Sequence, residues 1–125
     1  MDIINIYVPY FISLGLVSSL LGCFLAFSQT DLKKFIAYTS IAHMSLVAVA
    51  LFSCSLFSFI GGNSLLYVHA LTSSALFILV TFLYDSFHTR LIFYFRGISN
   101  SLPIFSILFF LFILSNIALP PTLNF

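Results

Sequence analysis

A chain of 125 residues in which 62% are hydrophobic and only 6% charged cannot cover a water-facing surface, because soluble domains carry about 25% charged residues. With a mean hydropathy of +1.21 it reads as an all-α integral membrane protein. A net charge of +1 excludes a nucleic-acid binder of the usual basic kind.

The first apolar segment runs from about Val8 to Phe27 and contains no charge. That is about the 20 residues a helix needs to cross a bilayer, with Pro9 tolerated in the first turn. Met1-Asp2 offers no basic n-region and the run is long enough to span, so no cleavable signal peptide is expected. Ser13, Gly15, Ser18, Ser19 and Gly22 are small residues that let a neighbouring helix approach closely. Cys23 and Cys54 have no metal-ligand spacing with the histidines and read as small apolar residues.

The second segment, about Asp31 to Ser53, opens with two of the four basic residues. Thr30 is the expected cap, and Asp31 suits the positive end of the helix. The helix then carries Lys33 at its mouth and His43 further in. A rise of about 1.5 Å per residue separates them by roughly 15 Å, about half of a hydrocarbon core of roughly 30 Å. His43 is therefore expected near mid-membrane, where ionisable groups face protein or water. Two readings stay open: a functional pair, or interfacial lysines that snorkel and a histidine that hydrogen-bonds a neighbouring helix.

Cys54 and Ser55 make a short uncharged turn. A third segment, about Leu56 to Leu83, exceeds one straight crossing, so tilt or a partly unwound start at Gly61-Gly62-Asn63 is expected. His69 sits near its middle, with Thr72 and Ser73 three and four residues on, where their hydroxyls share its helix face. Histidine changes charge near neutral pH at little energetic cost, so His69 is either a satisfied core residue or a proton carrier. Residues 84–100 read as a polar connection with aromatic anchors, and His88 within it as interfacial. A fourth segment, from Pro103 to Leu119, is marginal for a crossing and stops at Pro120-Pro121, as a half-helix that breaks inside the membrane would. Lys33 and Lys34 lie at the junction of segments one and two, and Arg90 and Arg96 between segments three and four. An alternating topology puts all four on one side, the cytoplasm or the matrix by the positive-inside rule.

Residues 29–44, Gln-Thr-Asp-Leu-Lys-Lys-Phe-Ile-Ala-Tyr-Thr-Ser-Ile-Ala-His-Met, resemble a signature of NADH dehydrogenase subunit 4, the antiporter-like proton-pumping subunit of respiratory complex I. Related antiporter-like subunits share the Gln-Thr-Asp-x-Lys core, while the Ser-Ile-Ala-His-Met ending is most similar to subunit 4. Val-His-Ala-Leu-Thr-Ser-Ser-Ala-Leu-Phe at 68–77, Tyr-Asp-Ser-Phe-His-Thr-Arg at 84–90 and Asn-Ile-Ala-Leu-Pro-Pro-Thr-Leu-Asn at 116–124 extend the likeness. It departs at Ala70, where the family has glycine.

The resemblance implies one membrane segment over 1–125, matching the ninth to eleventh helices of about fourteen and the first half of a discontinuous twelfth. It implies a split subunit whose other fragments, among them the twelfth-helix glutamate, are separate chains. It also implies a multi-pass protein of the mitochondrial inner membrane, partnered by those fragments, by other membrane-arm subunits of complex I and by lipid. By the same likeness the proton path uses His69 as central relay group, His43 as a second protonatable or water-orienting group, and Lys33 at the matrix-side connection. Flavin and iron–sulfur clusters belong to other subunits, so no redox cofactor is expected in this chain, nor catalysis by it alone. The competing readings are a piece of a cation/proton antiporter complex and a structural membrane subunit that has lost the pump.

Overall fold

The computed structural model describes residues 2–117. Its helices are α1 (Asp2–Phe27), α2 (Leu32–Phe52), α3 (Leu56–Phe87), α4 (Ile98–Ser101) and α5 (Pro103–Asn116), with a 3-10 turn at Ile92–Phe95 between α3 and α4. The protein is all-α. Three stretches, Ile6–Phe27, Leu32–Phe52 and Leu56–Phe87, are long and apolar enough to cross a membrane. The 14 residues of α5 are too few for a full crossing, which agrees with a half-helix. The Pro120-Pro121 break lies outside the described residues.

Large apolar side chains point outward along every long helix, as a lipid solvent demands: Phe24, Phe27, Phe57, Tyr67 and Ile78 are all exposed. Small residues hold the inner faces together. A Cβ on Gly15 would collide with Val49 Cγ2, and one on Gly22 would lie 3.2 Å from the Ala42 backbone nitrogen, so α1 and α2 meet with almost no side chain between them. Gly62 makes the same kind of contact between α3 and Ala50 and Leu51 of α2. Most serine and threonine hydroxyls bond a carbonyl three or four residues back, for example exposed Ser13 to Tyr10 at 2.8 Å, so these polar side chains sit in lipid at small cost. The fourth element, α5, fills the groove between α2 and α3. There Ile36, Leu76 and Val80 form the buried cluster, covered by Leu32, Phe77, Phe109, Phe112 and Ile113.

The two connections that carry the basic residues are joined. The Leu32 N–H donates to the Arg90 carbonyl at 3.0 Å, and the Ile92 N–H donates to the Thr30 carbonyl at 3.1 Å, around an antiparallel bridge between Asp31 and Leu91. Lys33, Lys34 and Arg90 therefore share one end of the bundle, and Cys54 and Ser55 in the α2–α3 turn lie at the other. Arg90 stacks over the Tyr84 ring at 4.4 Å.

Several sequence expectations are corrected. Asp31, not Thr30, occupies the cap position of α2, because the Thr30 carbonyl is used in the bridge to Ile92; the Asp31 side chain makes no capping bond and pairs with Lys34 at 3.4 Å instead. The Gly61-Gly62-Asn63 stretch is continuous helix, since Gly62 is needed for close packing against α2 and the ladder satisfies its backbone. Helix α3 continues one turn beyond Leu83 to Phe87, where His88 turns left-handed at φ 53° and its N–H closes on the Tyr84 carbonyl at 2.7 Å. Helix α1 begins at Asp2, so Pro9 lies inside it, although still within the first turn of the apolar stretch from Ile6.

Candidate functional site

Helices α2 and α3 run antiparallel, and each carries one histidine in its central turns. Their packing brings the two rings together: His43 and His69 have ring centroids 5.2 Å apart, tilted at 45°. His69 is 3% exposed and so enclosed by protein, and His43 is half-buried. The Nδ1 of His69 has no hydrogen-bond partner among the described residues. A buried ring nitrogen without a partner costs about 1–3 kcal/mol, a cost that function and not packing would explain.

The expected hydroxyl cluster around His69 is not formed. Thr72 Oγ1 donates to the His69 backbone carbonyl at 3.1 Å and Ser73 Oγ to the Ala70 carbonyl at 3.3 Å, because a helical hydroxyl reaches the preceding turn more readily than a ring four residues away. The polar partners of the pair come from elsewhere. A cavity of about 200 Å³ beside His43 is lined by Leu32, Phe35, Ile36, Thr39, Leu76, Phe109, Ile113, Asn116 and Ile117 as well. It is apolar except where Thr39, His43 and Asn116 meet. Asn116 Nδ2 donates to Thr39 Oγ1 at 3.4 Å.

Neither Thr39 nor Asn116 was singled out by the sequence. Thr39 lies one turn before His43, on the same helix face, which is the signal that could have found it. Asn116 has no local signal, since only the docking of α5 brings it to α2. Lys33 is exposed in the first turn of α2, well away from the histidine pair, and the one ion pair among the described residues belongs to its neighbour Lys34. Among the described residues no group of three or more His, Cys, Asp or Glu side chains could hold a metal. Cys23 and Cys54 are free and exposed.

Three helices long and apolar enough to cross a membrane, two of which bring titratable rings together, make this a polytopic membrane protein and not a simple anchor. The whole chain, residues 1–125, matches the family described as "NADH:quinone oxidoreductase/Mrp antiporter, TM", and the chain belongs to that family. Its similarity extends to proteins named NADH-ubiquinone oxidoreductase chain 4. That of Chlamydomonas reinhardtii is 50% identical over 94% of this chain and 26% of its own length, and that of Metridium senile 43% identical over 95% of this chain and 24% of its own. The one from Metlapilcoatlus nummifer is 43% identical over 97% of this chain and 52% of its own length. The chain thus spans about a quarter to a half of these relatives.

Proposed function

We propose that this chain forms part of the proton-translocating membrane arm of an NADH:ubiquinone oxidoreductase, in the mitochondrial inner membrane. The observation that carries the reading is the His43–His69 pair, one ring buried and the other half-buried, in the middle turns of two crossing helices. It is supported by 50% identity to a protein named for that enzyme's chain 4.

The roles follow from chemistry. A neutral imidazole holds a proton on one nitrogen and accepts on the other, so two neighbouring rings have the chemistry to hand a proton on. His69, enclosed and with an open Nδ1, is the central relay group, and His43 is the second. Lys33, exposed at the end of the bundle that carries the basic residues, serves the matrix-side mouth of the path. The segment supplies no redox chemistry and binds no flavin or iron–sulfur cluster. Its partners are the remaining helices of the same antiporter-like unit, further membrane-arm subunits and lipid.

The test is His69→Ala in the assembled respiratory complex, with NADH oxidation and proton uptake measured on the same membranes. Loss of pumping beyond the loss of electron flow supports the relay. An unchanged ratio of protons to electrons in a fully assembled complex reduces the segment to a scaffold.

A further inference from the structure

We propose that the open slot between α5, the 3-10 turn and the end of α3 binds one phospholipid with an anionic headgroup, its acyl chain in the slot and its phosphate against Arg90 and Arg96. Such a site is independent of the relay and lies at the basic end of the bundle.

The slot encloses about 380 Å³, and its walls include Leu83, Ile92, Phe95, Phe105, Phe109 and Ile113. Among the described residues, none that lines it is charged. Its depth suits a lipid chain and not a protein helix. Along α5 the walls run from Phe105 to Ile113, a rise of about 12 Å, and one leaflet contributes about half of a hydrocarbon core of roughly 30 Å. A crossing helix would need a groove about twice as deep. Leu32, Phe109 and Ile113 line both this slot and the cavity beside His43, and so stand between the two. An acyl chain in the slot packs against the outer side of that partition.

The mouth of the slot supplies the charge. Arg90 and Arg96 flank the turn Ile92–Phe95, whose two end residues are walls of the slot. Both arginines are exposed, and among the described residues neither pairs with a carboxylate. Lys33, also exposed, follows Leu32, another wall. The nearby carboxylates do not cancel these charges: Asp31 is paired with Lys34 at 3.4 Å, and Asp85 lines a separate cavity with Phe77 and Thr81. In the same turn Phe93 and Tyr94 are exposed, as aromatic residues at headgroup level are. An apolar slot one leaflet deep, beneath unpaired cations, has the amphipathic shape of a phospholipid. Each Lys or Arg near an anionic headgroup favours it about fivefold.

The experiment places the intact respiratory complex in phosphatidylcholine nanodiscs with a trace of phosphatidylglycerol that carries a photoactivatable diazirine on one acyl chain. Adducts are mapped by mass spectrometry. The phosphatidylglycerol probe should label the α5 peptide, Pro103–Asn116, at least fivefold more than a phosphatidylcholine probe with the same chain. Arg90→Gln and Arg96→Gln should each reduce that labelling about fivefold, less at high salt, and Arg96→Lys should restore it. Ser106→Phe narrows the slot and leaves every charge in place, so it should abolish labelling of α5 while the lipid-facing side of α1 is labelled as before. Where Ser106→Phe fails to assemble, the arginine variants decide. Equal labelling by the two probes, or labelling unchanged in the double arginine variant, overturns the proposal and leaves only a general lipid coat. An unlabelled α5 overturns it too, and crosslinks from α5 to another polypeptide would then give the slot to a protein neighbour. Pumping is not the readout here, so the relay stands or falls separately with His69→Ala.

Discussion

The rings of His43 and His69 stand 5.2 Å apart across the α2–α3 interface, brought together by antiparallel packing and not by closeness in the chain. One of them, His69, is enclosed while its Nδ1 has no partner among the described residues. If His69 is the relay group proposed above, that energetic cost and its use are two sides of one arrangement.

Replacing His69 by leucine separates those sides. Leucine fills a similar volume and removes the unpartnered nitrogen, so the assembled bundle should unfold at the same temperature or higher, a gain of up to about 1 kcal/mol, while proton translocation is abolished. Thermal unfolding in detergent and dye-detected acidification of vesicles measure the two properties on one preparation. A stability loss of several kcal/mol would show that Nδ1 has a partner after all.

Two glycine substitutions should have opposite signs. In Gly22→Val the added carbon lies 3.2 Å from backbone nitrogen and 3.3 Å from the Ala42 side chain, and backbone cannot yield, so α1 should separate from α2 at a cost of about 1–3 kcal/mol. At Gly61 nothing lies within 4 Å, and Gly61→Ala in mid-helix should add about 0.5–1 kcal/mol. Unfolding midpoints of the two variants, compared with the parent, decide the matter.

The joined loops predict a labelling pattern. A membrane-impermeant maleimide should reach Lys33→Cys and Arg90→Cys from one face of the membrane and the native Cys54 from the other. Cys23, exposed on a crossing helix and therefore facing lipid, should be spared. Labelling of Lys33→Cys and Cys54 from the same face would refute the topology.

Adjacent lysines should differ in effect. Lys34 pairs with Asp31 at an exposed position, where such a pair contributes little, so Lys34→Met should leave assembly and pumping near normal. Among the described residues Lys33 makes no such pair, and Lys33→Met should slow proton entry about tenfold at low salt by removing a charge that shapes the field at the mouth, with a smaller effect at high salt. Initial pumping rates across a salt series provide the check.

Much of this was legible in the chain because lipid leaves a helix few options. The three crossings, the short helix α5, the small-residue face of Gly15 and Gly22, and the central place of both histidines in their helices follow from hydropathy, rise per residue and spacing. What failed was local polar chemistry that depends on a distant partner. Thr30 has the right side chain for a cap, but its carbonyl is drawn to Ile92. Gly61-Gly62 has the composition of a break, yet Ala50 and Leu51 use Gly62 as a contact surface. Thr72 and Ser73 have the right spacing to serve His69, yet their own helix offers nearer acceptors. Asn116 gives no hint of its position until α5 docks.

The stitch between the two loops, made by Leu32 with Arg90 and Ile92 with Thr30, is written in main-chain atoms alone. The stitch itself therefore depends on no side chain at 30–32 or 90–92, whereas a single proline at 32 or 92 would cut one of its threads.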